Sequence, residues 1–163
     1  MPGLILPRDS LGLDTRQRNH IENSLDRSTP TAGAIQYAQA LRRQYRTAKQ
    51  RPTFPCSTYN CHGLTFAARR TGISGSAVVQ KILTEDGYER INDRSTVCPG
   101  DIILYISPIT NEIEHSGIVV DADPTDPLRL RILSKWGSAH EVIHSMGDCP
   151  YDARNLAFYR MTR

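Results

Sequence analysis

A continuous apolar run, Ile-Ile-Leu-Tyr-Ile at residues 102–106, limits the fold more than any other segment. A Pro-Gly-Asp turn signal precedes it at residues 99–101. A short run of this composition predicts a β-strand that is covered on both faces. The chain must therefore supply packing layers on both sides of the sheet that contains this strand.

Four further segments in the C-terminal half carry strand patterns. Residues 115–120 predict a second strand, which a hairpin connection at residues 110–111 joins to the first. At residues 128–132, leucine and isoleucine alternate with arginine, and this alternation predicts a third strand with one face toward water. Residues 142–145 predict a short fourth strand, and residues 156–161 predict a fifth.

Helix patterns occupy the chain before these strands. Five apolar residues at helical spacing indicate a first, amphipathic helix: Ala34, Ala38, Leu41, Tyr45 and Ala48. A second helix follows Asn60 and is expected to run to about Arg70. A third is expected to begin with Ser76 as its N-cap and to stop at Gly87. Helices followed by a meander of strands predict the α+β class, with N-terminal helices packed on a mostly antiparallel five-stranded sheet.

Length and composition are those of one globular domain. The chain has 163 residues, of which 39% are hydrophobic and 23% are charged, and this is enough to bury a core. Residues 1–29 are polar and irregular, and we expect them to form a loosely packed N-terminal arm. Residues 30–163 then form the folded domain.

Charge and hydropathy exclude several functional classes. No stretch approaches the roughly 20 apolar residues that span a membrane, so we expect no membrane span. The net charge of +3 is mild, and the basic residues of the first helix lie mostly off its apolar stripe, as in a solvated face, so we expect no nucleic-acid partner. The first seven residues contain two prolines and are too short for a secretory hydrophobic segment. The expected location is the cytoplasm, or outside the cell by a leaderless route.

The cysteine spacing argues against metal and redox motifs. The four cysteines, at positions 56, 61, 98 and 149, include no Cys-x-x-Cys pair. A zinc ribbon or a dithiol redox motif is therefore not expected, and we predict neither a metal nor a cofactor. The spacing does not determine the disulfide state of Cys56, Cys98 and Cys149, and a bond between Cys98 and Cys149 stays open.

One cysteine stands at the start of a predicted helix. Asn60 is a good N-cap, because its side-chain oxygen can accept a backbone N–H of the first turn. Cys61 then occupies the first helical position, where the positive end of the helix dipole favours the thiolate. Because the thiolate is the nucleophilic form, Cys61 is a candidate nucleophile.

A cysteine nucleophile needs a base within hydrogen-bond reach. Of the five histidines, His62 follows Cys61 directly, and adjacent residues of a helix do not face each other. His115 begins a predicted strand and shares its face with Gly117. A glycine there would let the Cys61 helix approach closely, so His115 is the candidate base.

Three segments resemble the NlpC-type papain-like cysteine peptidases. Residues 60–64 (Asn-Cys-His-Gly-Leu) are similar to the Asp-Cys-Ser-Gly-Leu nucleophile segment of that family. Residues 98–105 (Cys-Pro-Gly-Asp-Ile-Ile-Leu-Tyr) are similar to its Pro-Gly-Asp-Leu strand, and residues 115–120 (His-Ser-Gly-Ile-Val-Val) to its His-x-Gly-Ile-Tyr base strand. The three occur in the family's order and cover about residues 56–140. The resemblance implies a permuted papain-like core, in which the helix with the cysteine precedes the sheet with the histidine.

The resemblance also implies roles for individual residues. Cys61 is the nucleophile and His115 the general base. The family places His, Asn, Gln or Glu as a third member on the strand after the base, where this chain has Ser134 followed by a lysine. A protonated lysine cannot accept a hydrogen bond from the base. His144, on the next short strand, has an acceptor nitrogen when neutral and matches the family's use of His, so it is the favoured third member, and Ser134 is the alternative. The predicted substrate contacts are Tyr59, Lys135 and Trp136.

A function follows from the same resemblance. Members of the family mostly cleave peptide bonds in bacterial cell-wall stem peptides, and the related CHAP amidases share their layout. We therefore expect a cysteine hydrolase that cleaves an amide bond in a peptidoglycan stem peptide. The setting is a leaderless antibacterial effector, for which an immunity protein is a candidate partner, or a phage or housekeeping cell-wall enzyme. The alternative is a papain-like toxin, acyltransferase or deamidase that acts on a protein or lipid. A non-catalytic binding module would have no need of both Cys61 and His115.

Overall fold

Most of the chain folds around one sheet. The computed structural model describes residues 9–123, 125–138 and 140–162. In these ranges seven strands form one antiparallel sheet: β1 (Lys49–Gln50), β2 (Tyr88–Ile91), β3 (Ile102–Ile106), β4 (Ile113–Asp123), β5 (Asp126–Lys135), β6 (Glu141–Ser145) and β7 (Leu156–Met161). The described helices are α1 (Ala32–Arg43), α2 (Cys61–Phe66), α3 (Ser76–Glu85) and a 3-10 turn (Arg94–Thr96). None of these helices has the length and apolar character that crossing a bilayer requires. The expected α+β class is confirmed.

The sheet is wider than the sequence predicts. Its strand order is β1-β6-β5-β4-β3-β7-β2. The five predicted strands correspond to β3 through β7, and the bounds of β3 and β7 match the prediction. The predicted number of five strands is wrong, because β1 and β2 each add one short strand at an edge. Both residues of β1 and the two central residues of β2 are exposed, so neither strand carries an apolar pattern.

Alternate residues of β3 enter different groups of buried side chains. Ile103 and Tyr105 belong to the first core cluster, which consists of Ala48, Val97, Ile103, Tyr105, Val119, Leu130, Ile132, Trp136, Val142, Met146, Cys149 and Phe158. Ile102 and Leu104 belong to the second core cluster, which consists of Ile21, Ala67, Ile73, Val79, Ile82, Leu83, Ile102, Leu104, Ile113 and Ala157. The strand is therefore covered on both faces, as its apolar run predicts.

The helix α1 lies beside the first core cluster. The hydroxyl of Thr31 caps it by accepting a hydrogen bond from the backbone N–H of Ala34 at 3.1 Å. Leu41 and Tyr45 of the predicted apolar stripe pack against the first core cluster. The helix ends at Arg43, earlier than the full stripe predicts, and the chain then leads into β1.

The helix α2 ends earlier than predicted. It stops at Phe66, and the predicted end near Arg70 is wrong. Ala68 and Arg69 adopt positive φ angles of 47° and 66°, which a helix cannot contain. The helix is therefore a short element whose main role is to place its first turn against the sheet.

The N-cap of α3 also differs from the prediction. Gly75 is the N-cap, and Ser76 is the first helical residue. The hydroxyl of Ser76 instead accepts a hydrogen bond from the backbone N–H of Ile113 at 3.0 Å, which ties α3 to β4. The helix ends before Gly87, whose φ of 75° suits a glycine, as predicted.

The segment before α1 is irregular but packed. Ile21 is only 2% exposed and belongs to the second core cluster. The backbones of Ser24 and Gly72 exchange two hydrogen bonds of 2.9 Å. The expected loose packing is therefore wrong for this part of the segment. Residues 1–8 of the predicted arm lie outside the described residues.

Candidate active site

Cys61 occupies the first position of α2, and Asn60 holds it there. The side-chain oxygen of Asn60 accepts hydrogen bonds from the backbone N–H groups of Gly63 at 2.9 Å and Ile73 at 3.1 Å. The side-chain nitrogen of Asn60 donates to the carbonyl oxygen of Ile73 at 2.6 Å. Asn60 is therefore the N-cap that the sequence predicts, and it also ties the helix to the chain that returns beside it.

The partly buried thiol of Cys61 lies against β4 at Ser116. Hydrogen bonding from the backbone N–H groups of Ser116, His62 and Cys61 itself lowers the pKa of the thiol. β4 pairs with β5 only from Ile118 onward, opposite Leu133. Ser116 lies beyond this paired part, so its N–H is available to the thiol.

A directed chain of hydrogen bonds fixes α2 against β4. The hydroxyl of Thr65 donates to the carbonyl oxygen of Cys61 at 2.9 Å, and the hydroxyl of Ser116 donates to that of Thr65 at 3.0 Å. Nδ1 of His62 lies 2.8 Å from Oγ of Ser116. Because Ser116 gives its one proton to Thr65, Nδ1 of His62 is the donor. This chain of hydrogen bonds holds Cys61, the candidate nucleophile, against the strand that carries His115.

His115 is fully buried and has an unusual environment. It lies on β4 directly opposite Tyr105 of β3, and 0% of its surface is exposed. Its ring stacks on that of Tyr151, with 3.7 Å between the ring centroids and 5° between the planes. Among the described residues, neither ring nitrogen of His115 has a hydrogen-bond partner. Buried polar groups are rarely left unpaired, and the exceptions include groups with a catalytic role.

Burial decides the protonation states of Cys61 and His115. It lowers the pKa of His115 well below its ordinary value, and the charges of His144 and His62 act in the same direction. Burial also raises the pKa of the Cys61 thiol, against the opposing effect of the three N–H groups. The backbone N–H groups at the start of α2 favour the Cys61 thiolate, in the direction that the sequence predicts, but burial has the larger effect on the thiol pKa. At neutral pH the two residues are a thiol and a neutral imidazole.

The close approach at Gly117 is to β5 rather than to α2. A Cβ atom at Gly117 would lie 2.5 Å from Cγ2 of Ile132 and 2.9 Å from the carbonyl oxygen of Leu133. The predicted reason for this glycine is therefore wrong, since it makes room for the neighbouring strand. The helix instead reaches β4 through Ser116.

The two candidates for the third member bond to each other. Oγ of Ser134 lies 2.7 Å from Nε2 of His144, and Nε1 of Trp136 donates to the same hydroxyl at 3.0 Å. Nδ1 of His144 lies 2.8 Å from the carbonyl oxygen of Ser145, so this nitrogen carries the proton and Nε2 accepts from Ser134. Burial lowers the pKa of His144 to about 4, which keeps it neutral. Neither candidate hydrogen-bonds to His115, whose nitrogens have no partner within the described part of the chain.

Comparison with known proteins does not assign a family. No protein-family model matches this chain, and no curated protein or solved structure matches it. The resemblance of residues 60–64, 98–105 and 115–120 to the NlpC-type peptidases therefore stays a prediction.

Tyr59 and Lys135, two of the predicted substrate contacts, meet at a buried carboxylate. Glu141 is 1% exposed and accepts hydrogen bonds from the hydroxyl of Tyr59 at 2.8 Å and from the guanidinium of Arg69. Nζ of Lys135 donates to the carbonyl oxygen of Cys56 at 2.7 Å and lies 4.5 Å from the centroid of the Tyr59 ring. β5 and β6 place Lys135 directly opposite Glu141. These contacts tie the segment before α2 to the sheet.

Trp136, the third predicted substrate contact, is part of the first core cluster. Its ring packs edge-on against Tyr45 at 5.4 Å and lies 5.0 Å from the ring of His144. Tyr59, Lys135 and Trp136 thus all have contacts within the protein, and their role in substrate binding stays a prediction.

No sequence motif predicts the contacts of two residues near the site, Tyr151 and Glu141. Tyr151, which stacks on His115, lies in an irregular loop between β6 and β7 and belongs to no motif. Glu141 begins a short strand, and the one available signal is a carboxylate directly before an apolar pair. Both contacts depend on how distant parts of the chain pack together.

The other cysteines are free thiols in different surroundings. Cys98 is exposed, and Nη2 of Arg160 lies 3.1 Å from its sulfur. Cys149 is buried and Cys56 is partly buried, so Cys98 and Cys149 are not joined by a disulfide. Within the described ranges, no group of three or more His, Cys, Asp or Glu residues is arranged to hold a metal ion.

Proposed function

We propose that this protein is a cysteine hydrolase that cleaves an amide bond through an acyl-enzyme on Cys61, with His115 as the general base. The observation that carries the proposal is the position of the Cys61 thiol against Ser116, the residue after His115. Both ring nitrogens of His115 lack a partner among the described residues. His115 therefore offers a neutral imidazole with unused nitrogens on the residue next to the one that contacts the thiol, and we infer that it takes the thiol proton.

The proposed reaction has two steps. First, Sγ of Cys61 attacks the carbonyl carbon of the substrate while His115 accepts the thiol proton. A carbon–sulfur bond forms, the carbon–nitrogen bond breaks, and the imidazolium of His115 gives its proton to the leaving amine. Second, a water molecule gives a proton to His115 and attacks the thioester, and the departing sulfur regains that proton.

Backbone N–H groups are available to stabilise the oxyanion of the intermediate. Those of Cys61 and His62 lie at the start of α2 and lower the pKa of the thiol, so they are the nearest backbone donors to the carbon that the sulfur attacks. Because the resting pair is neutral, negative charge develops only during the attack. The N–H groups therefore interact more strongly with the transition state than with the resting thiol.

The resemblance to the NlpC-type peptidases supports a peptidoglycan stem peptide as the substrate and an antibacterial effector as the setting. It also supports a permuted papain-like core as the finer description of the fold. In that description α2 carries the nucleophile and β4 carries the base. The helix-first order and the antiparallel sheet agree with it.

Digestion of purified peptidoglycan tests this proposal. Sacculi are incubated with the wild type, with Cys61→Ala and with the control Cys56→Ser, and the muropeptides are analysed by mass spectrometry. We expect the wild type and the control to cut stem peptides, with the mass of one water added across each cut bond, and Cys61→Ala to cut none. Unchanged muropeptides with the wild type would contradict the peptidoglycan substrate. A Cys61→Ala variant as active as the wild type would contradict the nucleophile.

A further inference from the structure

Aromatic rings, rather than hydrogen bonds, surround the imidazole of His115. Its two nitrogens are unpaired among the described residues. The ring of Tyr105 lies 5.4 Å away at 53°, and that of Tyr151 stacks at 3.7 Å and 5°. The two tyrosine rings are 6.1 Å apart, so the three rings form one group.

Tyr151 comes from a loop that is anchored to the core. The hydroxyl of Tyr105 donates to the carbonyl oxygen of Met146 at 2.8 Å, near the start of this loop. The backbone N–H of Met146 donates to the carbonyl oxygen of Leu130 at 3.1 Å. The thiol of Cys149 lies 3.7 Å from the carbonyl oxygen of Tyr151. These contacts fix the backbone that carries the Tyr151 ring.

Face stacking suits a base that must keep its nitrogens available. The nitrogens of an imidazole donate and accept in the plane of the ring. Tyr151 covers one face of His115, so it restricts the ring without occupying a nitrogen. Without such a contact the imidazole could rotate, because the second side-chain torsion (χ2) of histidine has a broad distribution.

Tyr151 also lies close to the nucleophile. Burial raises the pKa of Tyr151 above its ordinary value, and a negative charge on Cys61 acts in the same direction. The tyrosine hydroxyl is therefore neutral, and the stacked ring shields His115 from water.

We propose that Tyr151 is a positioning residue for His115, whose ring holds the imidazole in the plane in which a nitrogen faces the Cys61 thiol. The inference rests on the proposed function, since His115 needs this positioning only if it acts as a base. Ser134 and His144, which the family resemblance places in an orienting role, bond to each other instead.

The charge state of His115 provides a readout of this role. The titratable groups around it are His62 from α2, Tyr105 from β3, His144 from β6 and Tyr151 from the loop. Cys61 acts on the pKa of Tyr151 rather than directly on that of His115. Burial lowers the pKa of His115, and His144 and His62 lower it further. A smaller side chain at Tyr151 would let water reach the imidazole, so the pKa of His115 should rise toward the ordinary value of about 6.5.

The test combines a histidine titration with thiol reactivity. It uses a Cys98→Ser protein, because the exposed Cys98 beside Arg160 would compete for the alkylating reagent. Protein labelled with carbon-13 at histidine Cε1 is titrated by NMR, and a His115→Gln variant assigns the resonance. Tyr151→Phe keeps the ring and Tyr151→Leu removes it. Tyr88→Leu is the control, since it removes an aromatic contact beside the second core cluster.

In the wild type, Tyr151→Phe and Tyr88→Leu, we expect His115 to titrate well below pH 6.5. In Tyr151→Leu the titration should move up toward about 6.5, and alkylation of Cys61 by iodoacetamide at neutral pH should slow about tenfold. Wild-type behaviour of Tyr151→Leu in both measurements would overturn the proposal. A Tyr151→Phe variant that behaves like Tyr151→Leu would also overturn it, because the stacked ring is retained.

The two measurements separate this inference from the proposed function. If His115→Gln slows Cys61 alkylation but Tyr151→Leu does not, the function stands and the positioning role is overturned. If Tyr151→Leu changes the His115 titration but His115→Gln leaves Cys61 alkylation unchanged, the stack is only a packing contact. That result overturns both the function and the role.

Discussion

The hydroxyl of Ser134 lies 2.7 Å from Nε2 of His144, next to Trp136 of the first core cluster. Trp136 donates to the same hydroxyl, and His144 uses its other nitrogen on the carbonyl oxygen of Ser145. Each of these side chains therefore has its partners inside this group. In the proposed mechanism, Cys61 and His115 therefore act as a dyad, without Ser134 or His144 as a third member.

Substitution of Ser134 should affect stability more than turnover. Ser134→Ala leaves Nε2 of His144 and Nε1 of Trp136 unpaired, which should cost about 1–3 kcal/mol of unfolding free energy. Turnover of the folded variant should fall less than about threefold, well short of the effect of a lost catalytic group. Urea unfolding and muropeptide release measure the two effects. A loss of about tenfold or more at unchanged stability would make Ser134 the third member.

The companion variant His144→Gln tests the residue that the family resemblance favours. Because His144 does not hydrogen-bond to His115, the turnover of the His144→Gln variant should also stay within about threefold of that of the wild type. Circular dichroism serves as the folding control. A folded His144→Gln protein with about tenfold lower turnover would restore the triad that the resemblance implies.

Replacement of His62 should separate packing from catalysis. His62 is buried, and its Nδ1 donates to Ser116. His62→Ala should therefore lower the unfolding free energy by about 1–3 kcal/mol. His115→Ala should lower turnover by about a hundredfold or more, and His62→Ala by much less. If folded His62→Ala proves inactive while His115→Ala retains turnover, the base is wrongly assigned.

Acid should destabilise the protein through its buried histidines. Burial lowers the pKa of His62 and of His144 to about 4, and it also lowers the pKa of His115. The unfolded value is about 6.5, so the unfolded state binds protons first as the pH falls. The stability that depends on these neutral rings is complete above about pH 6.5 and is lost as the pH falls toward 4. The slope should reach about 1.4 kcal/mol per pH unit for each histidine.

Urea unfolding between about pH 7 and pH 5 measures this loss. His144→Gln removes one of the three groups and should flatten the slope. Tyr88→Leu is the control, because it removes an aromatic contact and no histidine, and it should leave the slope unchanged. Stability that stays constant over this interval would contradict the burial of neutral histidines.

Features that depend on residues close together in the sequence could be predicted from it. Asn60 caps α2 with Cys61 at its first position, and the bounds of β3 and β7 follow their apolar runs. The end of α2 could not be predicted, because it depends on positive φ angles at Ala68 and Arg69, which side chains other than glycine rarely adopt.

The surroundings of His115 depend on distant contacts, and the sequence does not reveal them. Tyr151 reaches the imidazole from a loop near the C-terminus, without a motif to mark it. The protonation state of Cys61 also depends on how distant parts of the chain pack around it. A position at a helix start suggests a thiolate, but burial has the larger effect on the thiol pKa, and burial appears only in the folded chain.

The decisive measurement is the rate at which iodoacetamide alkylates Cys61 at neutral pH, followed by peptide mass mapping in the Cys98→Ser protein. Burial raises the pKa of the Cys61 thiol, so without a base it would react slowly. We predict that His115→Gln slows Cys61 by at least about tenfold with the fold unchanged, while the buried Cys149 reacts slowly in both proteins. Equal rates of Cys61 alkylation with and without His115 would contradict the assignment of His115 as its base.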